Sequence, residues 1–137
     1  MKIFQKTLVL KSKSINDFIK ITDNIEDVVK ESKIKNGMVF VNTLHNTAAL
    51  IMQEDDSTIH MDLIKILEKI APIKEKYSHS YEGNENATAH IKSNLLKTFL
   101  TIPLKEGELV LGTWQDIFFI ELFESREREV LVTIIGE

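Results

Sequence analysis

The chain has 137 residues, 43% hydrophobic and 28% charged, with a net charge of −4 and no cysteine. This length and composition fit one globular domain spanning 1–137, long enough to bury a core without staples. The acidic balance excludes a general nucleic-acid or anionic-membrane binder, which needs a basic face. Without thiols, disulfides, thiolate zinc sites and a cysteine nucleophile are excluded too, so any metal must use His, Asp or Glu.

Residues 2–10 alternate polar and apolar and read as a strand, with Phe4, Leu8 and Leu10 on one face. They do not resemble a signal peptide, and no later stretch is long enough to span a membrane, so the expected location is the cytoplasm. Residues 15–22 alternate again and are expected to pair with the first strand. Asp23 and Glu26 have the spacing of a capping box ahead of a helix with the stripe Ile25, Val28 and Val29. Asn36-Gly37 is expected to end it. Met38–Thr43 is β-rich, and Ala48–Met52 is a second apolar run after the polar break His45-Asn46-Thr47. Asp55, Asp56 and Ser57 offer caps for a helix over 57–70, striped by Ile59, Leu63, Ile66, Leu67 and Ile70 and stopped by Pro72.

Residues 72–89 read as a long polar loop, the kind that often carries function in compact domains. A short helix is expected over 90–98. Strands follow at 99–104, 108–112, 117–123 and 130–135, with a turn at Lys105-Glu106-Gly107. Pro103, lacking an N–H, places its strand at an edge or turns that side outward. Runs of strands broken by two or three helices predict an α+β domain of antiparallel, sandwich-like sheets rather than a doubly wound parallel sheet.

Three of the four histidines, His45, His79 and His90, stand in polar segments at element boundaries. Imidazole is the usual neutral metal ligand and the usual acid or base near neutral pH. No tight motif such as HExxH is present, so convergence of the three must come from the fold. His60 lies at the edge of the second helix's apolar stripe and is left out of the site. Glu82 follows His79 by three residues and could orient an imidazole or act as a base. Lys92 and Ser93, at the start of the expected short helix, could seat a phosphate. Trp114 and Gln115 follow Gly112 between two strands. A Trp there packs, or it lines a pocket for an aromatic ring.

The stretches HNTAALIMQE, YSHSYEGNENATAHIKSNLL, TIPLKEGELVLGTWQ and VTIIGE together resemble the YjbQ-like family over essentially the whole chain. His45, His79, Glu82, Gly83, His90, Lys92, Ser93, Gly112, Trp114 and Gln115 match its pattern. The resemblance implies a compact α+β fold with antiparallel sheets and a homotrimer. It also implies a metal or anion near the shared histidines and the label "secondary thiamine-phosphate synthase enzyme". The chain departs from the pattern at Gln53-Glu54-Asp55, Glu85-Asn86, Ala87-Thr88 and Asp116. It departs most at Glu121-Leu122-Phe123, where the family has Glu-His-Arg, so a polar pair has become apolar.

Two function classes follow. One is an enzyme acting on a small phosphorylated molecule, with a divalent metal (zinc or magnesium) on His45, His79 and His90. As a thiamine-phosphate synthase-type transferase it would use Lys92 for leaving-group charge and Trp114 as the pyrimidine wall. As a metal-assisted hydrolase it would use Glu82 as proton acceptor. The other class is a non-catalytic trimer that binds a metal or an anion. The apolar runs FFIELF and LVTII fit burial between subunits.

Overall fold

The chain folds into eight strands in two antiparallel sheets, most of them alternating with period two, and three helices. A computed structural model describes residues 1–137 throughout. In chain order the elements are β1 (Lys2–Lys11), β2 (Phe18–Lys20), α1 (Thr22–Ser32), β3 (Gly37–Thr43), β4 (Ala48–Gln53), α2 (Ser57–Ile70) and α3 (Asn84–Leu96). They continue with β5 (Phe99–Lys105), β6 (Glu108–Leu109), β7 (Asp116–Glu121) and β8 (Glu127–Gly136). Five strands form one sheet in the order β1-β8-β3-β5-β6, and three form a second in the order β2-β7-β4. The domain is α+β, with the antiparallel sandwich the sequence predicts.

Strand alternation sorts the core into two layers. Val39 and Val41 of β3, Leu100 and Ile102 of β5, and Val130, Val132 and Ile134 of β8 meet Ala48 and Leu50 of β4 and Ile117 and Phe119 of β7. Ile21, Ile25, Val28 and Val29, one face of α1, join that core. The intervening residues Ala49 and Ile120 point the other way, toward Ala89 of α3 and Leu63 of α2. The small sheet is therefore covered on both sides. This explains the unbroken apolar run of β7 within one chain, without a subunit contact.

Several local expectations are corrected. Strand β2 is short and pairs with β7, not with β1. Helix α1 has no capping box: it starts at Thr22, whose hydroxyl donates to Asp116 at 2.7 Å and accepts from the Ile117 amide at 2.9 Å. It ends at Lys33 (φ +60°), not at Asn36-Gly37. Gly37 instead opens β3 against Gly136. A Cβ on Gly37 would lie 2.0 Å from the Ile135 carbonyl oxygen, and one on Gly136 would lie 2.0 Å from that of Asn36. Helix α2 has the expected range, capped by Asp56 accepting from the Thr58 amide at 2.8 Å. Its inward face, however, is His60, Leu63 and Leu67, while Ile66 and Ile70 are exposed.

The third helix begins at Asn84, six residues before the expected start, so the irregular loop ends at Gly83 (φ +92°). Asn84 ties that loop to the helix, its side-chain amide donating to the carbonyls of Ile73 and Glu75. The β5–β6 hairpin turns through Glu106 and Gly107, both at positive φ, as a two-residue turn compatible with strand twist requires. The Pro103 carbonyl accepts from the Val110 amide, so the missing N–H also faces the short outer side, as expected.

Candidate functional site

Three connections meet at one end of the sandwich: residues 44–47 between β3 and β4, the α2–α3 loop with the first turns of α3, and residues 122–126 between β7 and β8. They enclose a cavity of about 280 Å³ lined by Leu44, His45, Asn46, Thr47, Glu82, Asn86, His90, Arg126 and Arg128. Eight of the nine are polar.

Its floor is an ion pair almost entirely withdrawn from water. Glu121 is 0% exposed and Arg128 1%. Arg128 Nε donates to Glu121 Oε1 at 2.8 Å and Nη2 donates to Oε2. Ser12 Oγ donates to Oε1 at 2.6 Å, and the Phe123 amide donates to Oε2 at 3.1 Å. Nη2 also reaches Thr47 Oγ1 at 2.9 Å. Two desolvated charges are tolerated only with this degree of satisfaction. Neither arginine was singled out from the sequence. The available signal was parity: Arg128 shares the inward register of Val130, Val132 and Ile134 on β8, where a charge calls for an explanation.

One wall carries His79, Glu82 and His90, whose ligating atoms all lie within 4.8 Å of one another. The His79 and His90 rings are 4.8 Å apart at 68°, and His79 Nε2 lies 3.5 Å from a Glu82 oxygen. Asn86 and His90 are four residues apart on α3 and share a face. Buried Asn86 holds His79 through Oδ1, 3.1 Å from Nε2. Two imidazoles and a carboxylate match the donor set of catalytic zinc, and nitrogen donors favour zinc over magnesium. Donors around one zinc stand about 3.4 Å apart, from a metal–ligand distance of ~2.1 Å. The donor types fit a divalent ion, but their spacing of up to 4.8 Å means that the side chains must draw closer to share one, and Glu82, the most exposed of the three, has the most freedom to do so.

His45 lines the same cavity but stands outside the 4.8 Å cluster. Its Nε2 accepts a hydrogen bond from the Glu129 amide at 2.8 Å, which fixes a neutral ring with the proton on Nδ1.

Four other sequence candidates lie elsewhere. Lys92 is 1% exposed and its ammonium is tied to Glu68 at 2.5 Å, a bond between α3 and α2. It is also two residues from His90 on the helix, which turns it to another face. The expected phosphate seat at a helix start is thus replaced by a buried tie in mid-helix. The Ser93 hydroxyl contacts the Asn46 and His90 carbonyls and fastens the β3–β4 connection to α3. Trp114 is 73% exposed, and neither it nor Gln115 lines the cavity. Gln115 Oε1 accepts from the Gly112 amide at 2.8 Å. His60, set apart in the sequence, is packed between Phe18 (4.3 Å, stacked) and Phe118 (4.7 Å, edge-on).

Burial, and then the Arg128 charge, lower the His45 pKa below its ordinary 6.5. A histidine with a depressed folded pKa contributes stability above the unfolded value and loses it as pH falls. Urea midpoints are expected to decrease as pH falls from about 6.5 through the lower folded value, and His45→Gln is expected to flatten that part of the profile. An unchanged slope in the variant contradicts this reading of His45.

Comparison with known proteins follows the geometry. Residues 6–137 match the family model described as UPF0047 protein YjbQ-like. A UPF0047 protein of Methanothermobacter thermautotrophicus is 34% identical over 137 residues, covering 100% of this chain and 95% of its own. The UPF0047 protein YjbQ of Salmonella typhimurium is also 34% identical, covering 98% and 99%. Among solved structures, a Sulfolobus solfataricus protein described as YbjQ-like superposes with a TM-score of 0.94 at 31% identity, covering 99% of both chains. A Clostridium acetobutylicum protein of the same family gives 0.89 at 36% identity, covering 95% of this chain and 99% of its own. With the family model matched over nearly its whole length, the chain belongs to the UPF0047 YjbQ-like family.

Proposed function

We propose that this protein is a metal-assisted enzyme that hydrolyses a small phosphorylated molecule, with His79, Glu82 and His90 holding a divalent ion. The observation that carries this reading is the convergence of those three donors on the wall of a polar cavity. A bound zinc ion supplies Lewis acidity toward a phosphoryl oxygen. The residues do the rest. Asn86 orients His79. One Glu82 oxygen would hold the ion, while the other would accept the proton of the attacking water and return it to the leaving alcohol. A P–O bond forms to water and the ester P–O bond breaks.

Transfer chemistry of the thiamine-phosphate type is the less favoured version. It calls for Lys92 at a leaving diphosphate and Trp114 as a ring wall. Lys92 is bound to Glu68, and Trp114 stands away from the cavity.

The assembly we propose is a homotrimer. Ile3, Met38, Phe40, Phe99, Leu131 and Ile135 share the outer face of the large sheet, and no element of the same chain covers it. Ile3 and Phe99 are more than half exposed. Such a patch is the kind that subunits bury. Sedimentation equilibrium at micromolar concentration is expected to give three times the 15.7 kDa chain mass, and a monomer would refute the trimer.

Zinc titration of purified protein tests the centre. His79→Ala and His90→Ala each remove a ligand and are expected to weaken zinc by more than ~100-fold, beyond the loss seen when only an outer partner is removed. His60→Ala should match the parent. Affinity should fall as the pH is lowered, since protons compete for the ligating nitrogens. Parent-like affinity in both His79→Ala and His90→Ala refutes the site. Tight zinc with no turnover of any phosphate ester assigns a binding protein instead.

A further inference from the structure

Arg126 and Arg128 line the same cavity as Glu82 and His90. Arg128 is anchored through two of its three guanidinium nitrogens, Nε and Nη2, on Glu121 and Thr47. Nη1 has no protein partner. It is not sealed either, since His60 Nε2 is the one sealed side-chain polar atom without a hydrogen bond. Arg128 lines the cavity and is only 1% exposed, so the small part of it that remains accessible lies there, and Nη1 is its one guanidinium nitrogen without a protein partner. A guanidinium held on one edge with its other end bare is pre-organised to receive an anion.

Arg126 lines the same cavity from the rim. Its backbone is clipped to Ser12, whose amide donates to the Arg126 carbonyl at 2.9 Å and whose hydroxyl accepts from the Arg126 amide at 3.0 Å. Ser12 is in turn bonded to Glu121, so the Arg126 backbone and the Arg128 guanidinium rest on one support. The Arg126 side chain lies over the Phe123 ring at 5.0 Å and is paired with Glu124 at 2.6 Å. That pair is half-exposed and therefore weak, readily exchanged for a dianion. Glu82, Arg126 and Arg128 are the formally charged side chains that line the cavity, and each arginine already has one carboxylate partner.

We propose that Arg126 and Arg128 are the substrate-recognition half of the site and bind the phosphoryl group of a small phosphomonoester, presenting it to the His79–Glu82–His90 wall. Its location rests on the hydrolase reading above, but the anion contact itself does not require the metal. Lys92, the cation the sequence offered for this task, is used elsewhere, and the two guanidinium groups replace it. The organic part of the ester is small and polar, since the cavity holds about 280 Å³ and Leu44 is its one hydrophobic lining residue.

Isothermal titration with inorganic phosphate, in chelator and again with zinc, tests the assignment. Parent protein should bind phosphate in chelator. Arg126→Gln alters a half-exposed side chain, leaves the fold intact, and should weaken phosphate about tenfold, as for loss of one charge-assisted hydrogen bond. Arg128→Lys keeps a charge beside Glu121 but loses the fork, and a similar weakening is expected. If that variant fails to fold, the guanidinium 15N resonances of Arg128 in parent protein give the same answer by shifting with added phosphate. His79→Ala/His90→Ala should lose zinc yet keep chelator-insensitive phosphate binding. Phosphate affinity indifferent to Arg126→Gln, with Arg128 resonances unmoved, overturns this proposal and leaves the metal reading standing. Loss of phosphate binding in both arginine variants, with zinc untouched by the histidine changes, supports the anion site and sinks the metal reading.

Discussion

The buried pair between Glu121 and Arg128 is the constraint on which the rest of the site depends. Glu121 ends β7 in the small sheet and Arg128 opens β8 in the large one, so the pair clasps the two layers where the cavity forms. A charge pair taken out of water rarely gains more than its desolvation costs. Here every acceptor position of Glu121 is used, by Ser12, by Arg128 twice and by the Phe123 amide. An apolar pair of similar volume could hold the sheets together as well. It could not fix Thr47, Ser12 and Phe123 relative to one another, nor carry a guanidinium nitrogen to the cavity. Retention of the pair is therefore better explained by positioning than by stability.

From that floor the site is assembled by parts with separate supports. The β3–β4 connection is held by Thr47 on Arg128 and by Ser93 on the Asn46 carbonyl. The His79 loop is held by Asn84 and Asn86. The segment of Arg126 is held by Ser12. Each support is a side-chain bond, so the cavity's loop residues inherit the rigidity of the scaffold. The half-exposed members, His79, Glu82 and Arg126, are the ones left free to adjust to an ion or a phosphoryl group.

Much of the fold was legible in the sequence, because strands with one buried face must alternate and β7, buried on both, must not. The start of α3 was hidden by Gly83 and the asparagines around it, which read as loop until Asn84 and Asn86 are seen to hold His79 and the preceding segment to the helix. Once His90 sits mid-helix, Lys92 cannot share its face, so a difference of six residues at a boundary also moved Lys92 from a helix start to a buried bond with Glu68. The histidines stood out by their polar surroundings. Glu82 stood out by its spacing to His79. That Glu82, rather than His45, completes the cluster depends on the Glu129 amide occupying His45 Nε2, a contact across 84 residues that no local pattern reveals. Arg128 was visible only as a charge on an inward strand position.

Two imidazoles and one carboxylate, not three imidazoles, are the proposed ligands of the metal. Zinc K-edge X-ray absorption on the zinc-loaded protein, compared with its His45→Gln variant, tests this assignment most directly. The account predicts two imidazole nitrogens and an added oxygen at ~2.0–2.1 Å, with the same spectrum in the variant. A first shell of three imidazoles that loses one in His45→Gln, or a shell with no histidine at all, would contradict it.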